Sequence, residues 1–400
     1  MTPLRIDVHA HLWTAEYLDR LEHLGKSDTG TQRGIGAGEG PAELDHRFAL
    51  IDRTGIALQV LSVPPQSPHL ARESDAVLLA RVANDAYAEL VARWPDRFRA
   101  FAALPLPHPE ASLRELARAC DELGMVGVGV TTTVLGRSLA DPVFHPLYEE
   151  LDRRGAVLYI HPSGEGAASP LINGHGLTWM VGAPVEDTVA AMHLILAGIP
   201  LRYPGMRILV SHLGGALPML LRRLDDHLAF ESPQTPERPS LAALRLWYDT
   251  VGHCHPPALI AAAASFGADR LVLMLSATLC PTIVAAAADR GRCTPSVAPA
   301  PGTSSSGRGV RRPGSPSRCA SLPGLRPAVG DPATVPTPAP YDVCPGGPDH
   351  RRDGPGPRCA AGAGRAGRTP GTSSSRCSQP PGNATRTSVP AASAASGTSS

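Results

Sequence analysis

The 400-residue chain changes character near Leu275, and only the part before that point has the make-up of a packed domain. Beyond it there is no Glu, Trp, Phe or Lys, and Tyr341 is the sole aromatic residue. From about Thr294 onward hydrophobic periodicity disappears and Pro, Gly, Ser, Ala and Arg dominate. Such a segment cannot bury enough apolar surface to offset the entropy of ordering it. Residues 275–400 are therefore expected to be a disordered tail behind a folded domain at residues 1–274. Charge divides at the same point. Residues 275–400 hold 14 Arg against 5 Asp, a formal +9, while the whole chain is +1, which leaves −8 on residues 1–274.

The basic tail does not read as a nucleic-acid surface, because its arginines lie among Pro, Gly and Ser without the aromatic platforms on which bases stack. Of the eight cysteines only Cys120 and Cys254 precede the break, and the six in the tail lack the regular spacing of a zinc or disulfide framework. No apolar run reaches the ~18–20 residues that span a bilayer. The N-terminus runs directly into a strand, without a signal-peptide pattern. The expectation is a soluble, cytoplasmic chain with no nucleic-acid or membrane partner.

Before the break, short apolar or β-branched runs read as strands at Leu4–Val8, Leu58–Val63, Arg99–Leu104, Val126–Thr131, Ala156–Ile160, Arg207–Val210, Leu246–Thr250 and Leu271–Met274. Stretches of helical periodicity separate most of them, among them Asp75–Trp94, Pro109–Leu123, Phe144–Arg154, Glu186–Ala197 and Pro257–Phe266. Eight strands alternating with helices predict an α/β chain of the (β/α)8 TIM-barrel type. A doubly wound open sheet is the competing fold, but its first strand normally leads into a Gly-rich phosphate loop. Here the first strand ends in Asp7-Val8-His9-Ala10-His11. The Gly-, Ser- and Thr-rich segment from Gly25 to Gly40 reads as a flexible loop over the barrel mouth and lacks the ending of a P-loop.

Residues two apart on a strand share a face, so His9 and His11 project together near a strand's C-terminal end, where barrel enzymes carry their active sites. Two imidazoles on one strand can share a divalent ion. His161 follows the apolar run Ala156–Ile160, and His212 follows Ile208-Leu209-Val210-Ser211, with Gly214 and Gly215 allowing close approach. Any one of these histidines alone would read as a hydrogen-bonded rim residue. Three separate strands ending in His point instead to a metal site.

These segments resemble the amidohydrolase-related family that includes aminocarboxymuconate-semialdehyde decarboxylase. The resemblance covers roughly Arg5 to Met274. It rests on Ile6–His11, Asp52–Ile56 with Gln59–Ser62, Asn84-Asp85, Ala156–Pro162, Trp179–Pro184 and Ser211–Gly215. It implies that His9, His11 and His161 are metal ligands, for zinc or alternatively manganese, and that His212 is the catalytic acid/base. It also implies that Arg223 holds a substrate carboxylate, with Arg33 a looser candidate for a second such arginine. Tyr248-Asp249-Thr250 is typical of the family at the end of the seventh strand and reads as structural support for the rim more than as a catalytic element. The substrate would be a small carboxylic acid, and a homodimer is compatible with the family.

The same family normally closes its eighth strand with Gly-Ser/Thr-Asp-Tyr-Pro, whose Asp serves the metal site. Here Ala268–Met274 leads to Leu275-Ser276-Ala277-Thr278-Leu279-Cys280-Pro281, and no Asp follows Asp269 until Asp289. Ile283–Asp289 is too short and too rich in small residues to be the last barrel helix, so the barrel is expected to be incomplete at its C-terminal end. A reading-frame change near codon 275 would explain both the lost motif and the altered composition; translating the following nucleotides in the other frames tests it. Three functions follow. The first is a metal-dependent carboxy-lyase acting on a small unsaturated or aromatic acid, weakened by the missing Asp. The others are a metal-dependent hydrolase of an amide, lactone or ester, and a non-catalytic remnant.

Overall fold

The computed structural model describes residues 5–27, 29–252 and 255–272. The expected disordered tail, the strand-8 motif position and the missing last helix all lie outside the described residues. Within them, eight parallel strands alternate with helices. The strands are β1 (Ile6–His11), β2 (Leu58–Ser62), β3 (Phe98–Ala100), β4 (Gly127–Thr131), β5 (Val157–His161), β6 (Arg207–Val210), β7 (Trp247–Asp249) and β8 (Leu271–Val272). The main helices are α1 (Ala15–His23), α2 (Pro41–Thr54), α3 (Glu73–Arg93), α4 (Pro109–Asp121), α5 (His145–Arg154), α6 (Ala183–Leu196), α7 (Leu217–Glu231) and α8 (Pro256–Phe266).

Strands β1 to β3 pair in order, as do β4 to β8, and a parallel bridge between Ala102 and Val128 joins the two runs. Inward side chains from around the ring meet in one cluster: Val8, Val60, Phe101, Val157, Tyr159 and Leu209 are buried there, with Ile6, Trp247 and Val272 packed against it. The larger cluster lies between strands and helices and includes Ala10, Leu61, Val130, Ile160 and Val210. Two cores, one inside the strand ring and one outside it, are the signature of the (β/α)8 barrel.

Local chemistry explains the helix limits. Thr14 begins α1 by accepting the Tyr17 backbone N–H on its hydroxyl, and α2 and α5 stop at Gly55 and Gly155, both left-handed, with φ 68° and 62°. The Gly25–Gly40 segment is anchored at several points. The Trp13 N–H donates to the Ala37 carbonyl at 2.8 Å, and Arg33 pairs with Asp19 and Glu22 on α1. Among the described residues no helix is long and apolar enough to cross a membrane.

Two strands depart from their expected bounds: β3 ends at Ala100 where the pattern predicts Arg99–Leu104, and β1 is shifted along the chain. The sequence pattern predicts Leu4–Val8, whereas β1 runs to His11 because Ala10 and His11 continue the ladder opposite Leu61 and Ser62. Between the pairs Asp7–Gln59 and Ala10–Leu61, β1 has one residue more than β2, a β-bulge.

Candidate metal centre

The bulge decides where the histidines point. Ile6 and Val8 face the barrel interior. Strict alternation would then send His9 and His11 outward with Asp7. The extra residue shifts the parity, so His9 and His11 also face inward: His9 lies against the interior Tyr159 ring, centroid to centroid 5.8 Å. His161 ends β5 two residues beyond Tyr159 and joins them. The centroids of His9, His11 and His161 are 4.8, 4.9 and 4.6 Å apart, and one ligand nitrogen from each lies within 4.8 Å of the others. Two nitrogens bound at ~2.0–2.1 Å to one ion are at most ~4.2 Å apart, so the triad must close by about half an ångström at its widest.

The hydrogen bonds leave the right atoms for an ion. His9 donates from Nδ1 to Asp249 Oδ2 at 2.9 Å, and His161 donates from Nδ1 to the Pro162 carbonyl at 2.9 Å. Each therefore keeps a free Nε2. His11 stacks on Trp13 with ring centroids 5.1 Å apart, and neither of its buried nitrogens makes a hydrogen bond of good geometry, the Ser62 backbone being the one polar group near enough to favour its charged form. Burial, followed by the neighbouring imidazoles, holds His11 and His161 well below the usual histidine range; burial also lowers His9, against the pull of Asp249. Neutral imidazole is the form that binds a metal. The donor set and the orphaned nitrogens of His11 fit a divalent cation.

His212 completes the group, with centroids 5.2 Å from His9 and 5.7 Å from His161. It sits in a left-handed turn: φ is 51° at His212, 57° at Leu213, 71° at Gly214 and 64° at Gly215. Gly215 is required there, since a Cβ would lie 2.0 Å from the Pro184 carbonyl oxygen. Two buried acids fix the imidazole. Asp249 accepts the His212 backbone N–H at 2.9 Å, and Asp187 accepts Nδ1–H at 2.7 Å while also taking the Ser211 hydroxyl at 2.9 Å. Burial opposes a charge on His212, but Asp187 and Asp249 outweigh it and leave its pKa raised. Burial likewise lifts Asp187 to about 6 and Asp7 to about 6.

Next to Asp187, the Glu186 carboxylate collects five donors. Its Oε2 accepts from the Thr132 hydroxyl, the Ser163 N–H and hydroxyl and the Gly164 N–H, and its Oε1 accepts from the Gly166 N–H at 2.6 Å. One buried side chain on α6 thereby holds the loop that leaves His161.

The structure brings His9, His11, His161 and His212 together. It does not bring in Arg223, which is exposed on α7 with no hydrogen bond or ion pair to any described residue. Arg33 is committed to α1. Asp187 and Glu186 escape a reading by strand ends because they act from a helix. Their one sequence signal is an adjacent acidic pair in an otherwise apolar helix.

Known proteins share this chain's family and fold. The amidohydrolase family pattern matches residues 6–273. The chain is 32% identical over 221 residues to the 2-amino-3-carboxymuconate-6-semialdehyde decarboxylase of Dictyostelium discoideum, a match that covers 52% of this chain and 59% of that protein. It is 33% identical over 245 residues to the gamma-resorcylate decarboxylase of Polaromonas sp. strain JS666, covering 57% and 74%. Among solved structures, the dihydroxybenzoic acid decarboxylase of Polaromonas sp. JS666, with bound manganese and the inhibitor 2-nitroresorcinol, superposes with a TM-score of 0.60 at 27% identity over 71% of this chain and 90% of that one. The match thus spans less than two thirds of the Dictyostelium relative's length, but the family match spans most of this chain, and the chain belongs to the amidohydrolase family.

Proposed function

We propose that this domain has the machinery of a metal-dependent carboxy-lyase for a small aromatic or unsaturated carboxylic acid. The observation that carries the reading is the pairing of three buried imidazoles with free nitrogens and a fourth, His212, locked through Nδ1 by Asp187. His9, His11 and His161 would hold a divalent ion, zinc or manganese; manganese has the support of the Polaromonas structure. Such an ion would supply Lewis acidity at a substrate oxygen, favouring the anionic form of a bound hydroxyl and so leaving the π-system electron-rich.

The chain's own residues account for the proton. With Nδ1–H committed to Asp187, His212 has Nε2 left for the substrate, and its raised pKa favours the protonated form. Protonated His212 delivers the Nε2 proton to the carbon that bears the carboxylate. The bond from that carbon to the carboxylate then breaks, its electron pair returns to the π-system, and CO₂ leaves. His212 regains its proton from solvent. We assign Arg223 to the substrate carboxylate, by its position after the His212 turn. The chain as written is a slow version of this enzyme, because no Asp stands between Asp269 and Asp289 to serve the eighth strand.

The test is a panel of 2,6-dihydroxybenzoate, 6-methylsalicylate and 2-amino-3-carboxymuconate semialdehyde beside simple amides, lactones and esters. It is run with zinc and with manganese, with metal content measured in parallel. CO₂ release from an acid, dependent on metal, is the expected result. Hydrolysis without CO₂ release would replace the lyase by a hydrolase, and metal-independent inertness toward every compound would leave a non-catalytic remnant.

A further inference from the structure

We propose that His69 is a substrate-recognition residue: an imidazole locked as the Nδ1–H tautomer whose bare Nε2 accepts a hydrogen bond from a hydroxyl group on the aromatic acid bound at the metal centre. This rests on the reading of the site given above and assigns to it a residue that would recognise a substrate hydroxyl.

The first support is position. Gly127, Gly129 and Thr131 of β4 stand in register with Val157, Tyr159 and His161 of β5. Val157 and Tyr159 face the barrel interior, so Thr131 faces inward at the mouth, beside His161. The Thr131 hydroxyl oxygen is 3.1 Å from His69 Nδ1. The loop after β2 that carries His69 also crosses this inner face lower down: a Cβ built on Gly129 would be 3.4 Å from Pro64. His69 therefore lies over the inner face at the end of β4, the strand next to the one that ends in His161.

The second support is hydrogen-bond accounting. The Thr131 hydroxyl donates its one hydrogen to the Thr133 carbonyl at 2.6 Å, so toward His69 it only accepts. His69 must then carry its proton on Nδ1, which makes Nε2 an acceptor. That Nε2 is buried and has no partner, with the whole residue 5% exposed. Most buried polar atoms are satisfied, and one that is not calls for a partner such as a water, an ion or a ligand. Burial, aided by the positive charge of Lys26, pushes the His69 pKa down to about 3, so the ring does not turn into a donor near neutral pH. An acceptor of this kind selects an O–H group, not a carboxylate.

The experiment measures equilibrium binding by calorimetry to the full metal-loaded chain, so it does not depend on turnover. The ligands are benzoate, the 2-, 3- and 4-hydroxybenzoates and 2,6-dihydroxybenzoate. The proteins are the wild type, His69→Phe, His69→Gln and Thr131→Val, each checked by thermal melting. We expect His69→Phe to weaken at least one hydroxybenzoate by about fivefold to tenfold more than benzoate, the size of one net hydrogen bond. His69→Gln, whose amide oxygen can still accept, should recover part of that difference, and Thr131→Val should lose part of it by freeing the tautomer. An equal loss across the panel in all three variants, or no loss, overturns the contact. Binding with this coupling but without CO₂ release keeps the His69 contact and counts against the lyase. Failure of the wild type to bind any of the acids overturns both.

Discussion

The two sides of the barrel mouth are built on opposite rules. On the side of β6 and β7, buried acids hold what they face: Asp249 holds the His212 backbone and reaches across to His9 of β1, and Asp187 holds the His212 ring. On the side of β1, β2 and β4, polar atoms are left open. His11 has two orphaned nitrogens, His69 has one, and the Ser62 and Ser67 hydroxyls are buried without partners. Leaving such groups unpaired in an apolar setting costs about 1–3 kcal/mol each, a cost that a bound ion or substrate at the mouth would remove. Under the proposed function, the held side would orient catalytic groups before anything binds, and the open side would be completed by what binds.

The sharpest way to break this contrast is to remove the held proton donor. His212→Ala should lower turnover by about 10²–10⁴-fold, the usual contribution of a positioned acid/base, while metal content stays unchanged because the triad is separate. The assay is best made in a chain whose residues 275–279 are replaced by Gly-Ser-Asp-Tyr-Pro with a matching C-terminal helix. Turnover that survives His212→Ala would mean that proton delivery comes from elsewhere in the mouth.

That completed strand is itself the second test. It should raise the rate of the chain as written by at least ~10²-fold, since a carboxylate at the site orients and accepts protons. Equal rates in the two proteins would show that Asp249 supplies the carboxylate already, and the division between held and open sides would then need no eighth-strand acid.

Third comes the link between the sides. Asp249 ties a metal-site histidine to the turn that presents His212, from one fully buried carboxylate. Asp249→Asn removes the anionic acceptor while nearly keeping the shape. Partners of this kind typically contribute 10–100-fold to metal affinity or activity, so a fall in that range is expected in both metal affinity and turnover. A fall in turnover alone would place Asp249 with His212 and not with the ion.

The legibility of the site in the sequence follows the same division. Whatever depended on short-range period was readable: the strand alternation, the histidines at three strand ends, and the rim position of Asp249. The bulge in β1 was not, because the pattern Ile6-Asp7-Val8-His9-Ala10-His11 alternates cleanly and gives no sign that one residue steps out of register. Strict alternation would in fact have placed Val8 and His9 on opposite faces, whereas both end up inside the barrel. Partners across long separations were also hidden. Asp187 meets His212 from 25 residues away and His69 meets Thr131 from 62 away, and nothing local marks either pair.

Arg223 is expected to give the smallest effect, and it lies on the helix that follows the His212 turn, on the held side. It projects from α7 into solvent without a partner among the described residues. Truncating it to Ala should therefore leave stability within ±0.5 kcal/mol, as for surface sites outside any network. If it meets the substrate carboxylate only in the complex, the lost contact appears in KM. An arginine that remains partly in water contributes about 0.2–1 kcal/mol to such a pair, a rise in KM of no more than about fivefold with kcat unchanged. An unchanged KM would remove Arg223 from the site. A rise beyond tenfold would mean that the guanidinium is desolvated in the complex, which its exposed position on an isolated chain does not achieve, so the substrate or a second copy of the chain would have to cover it. Sedimentation of the wild type with and without a bound acid separates those two cases.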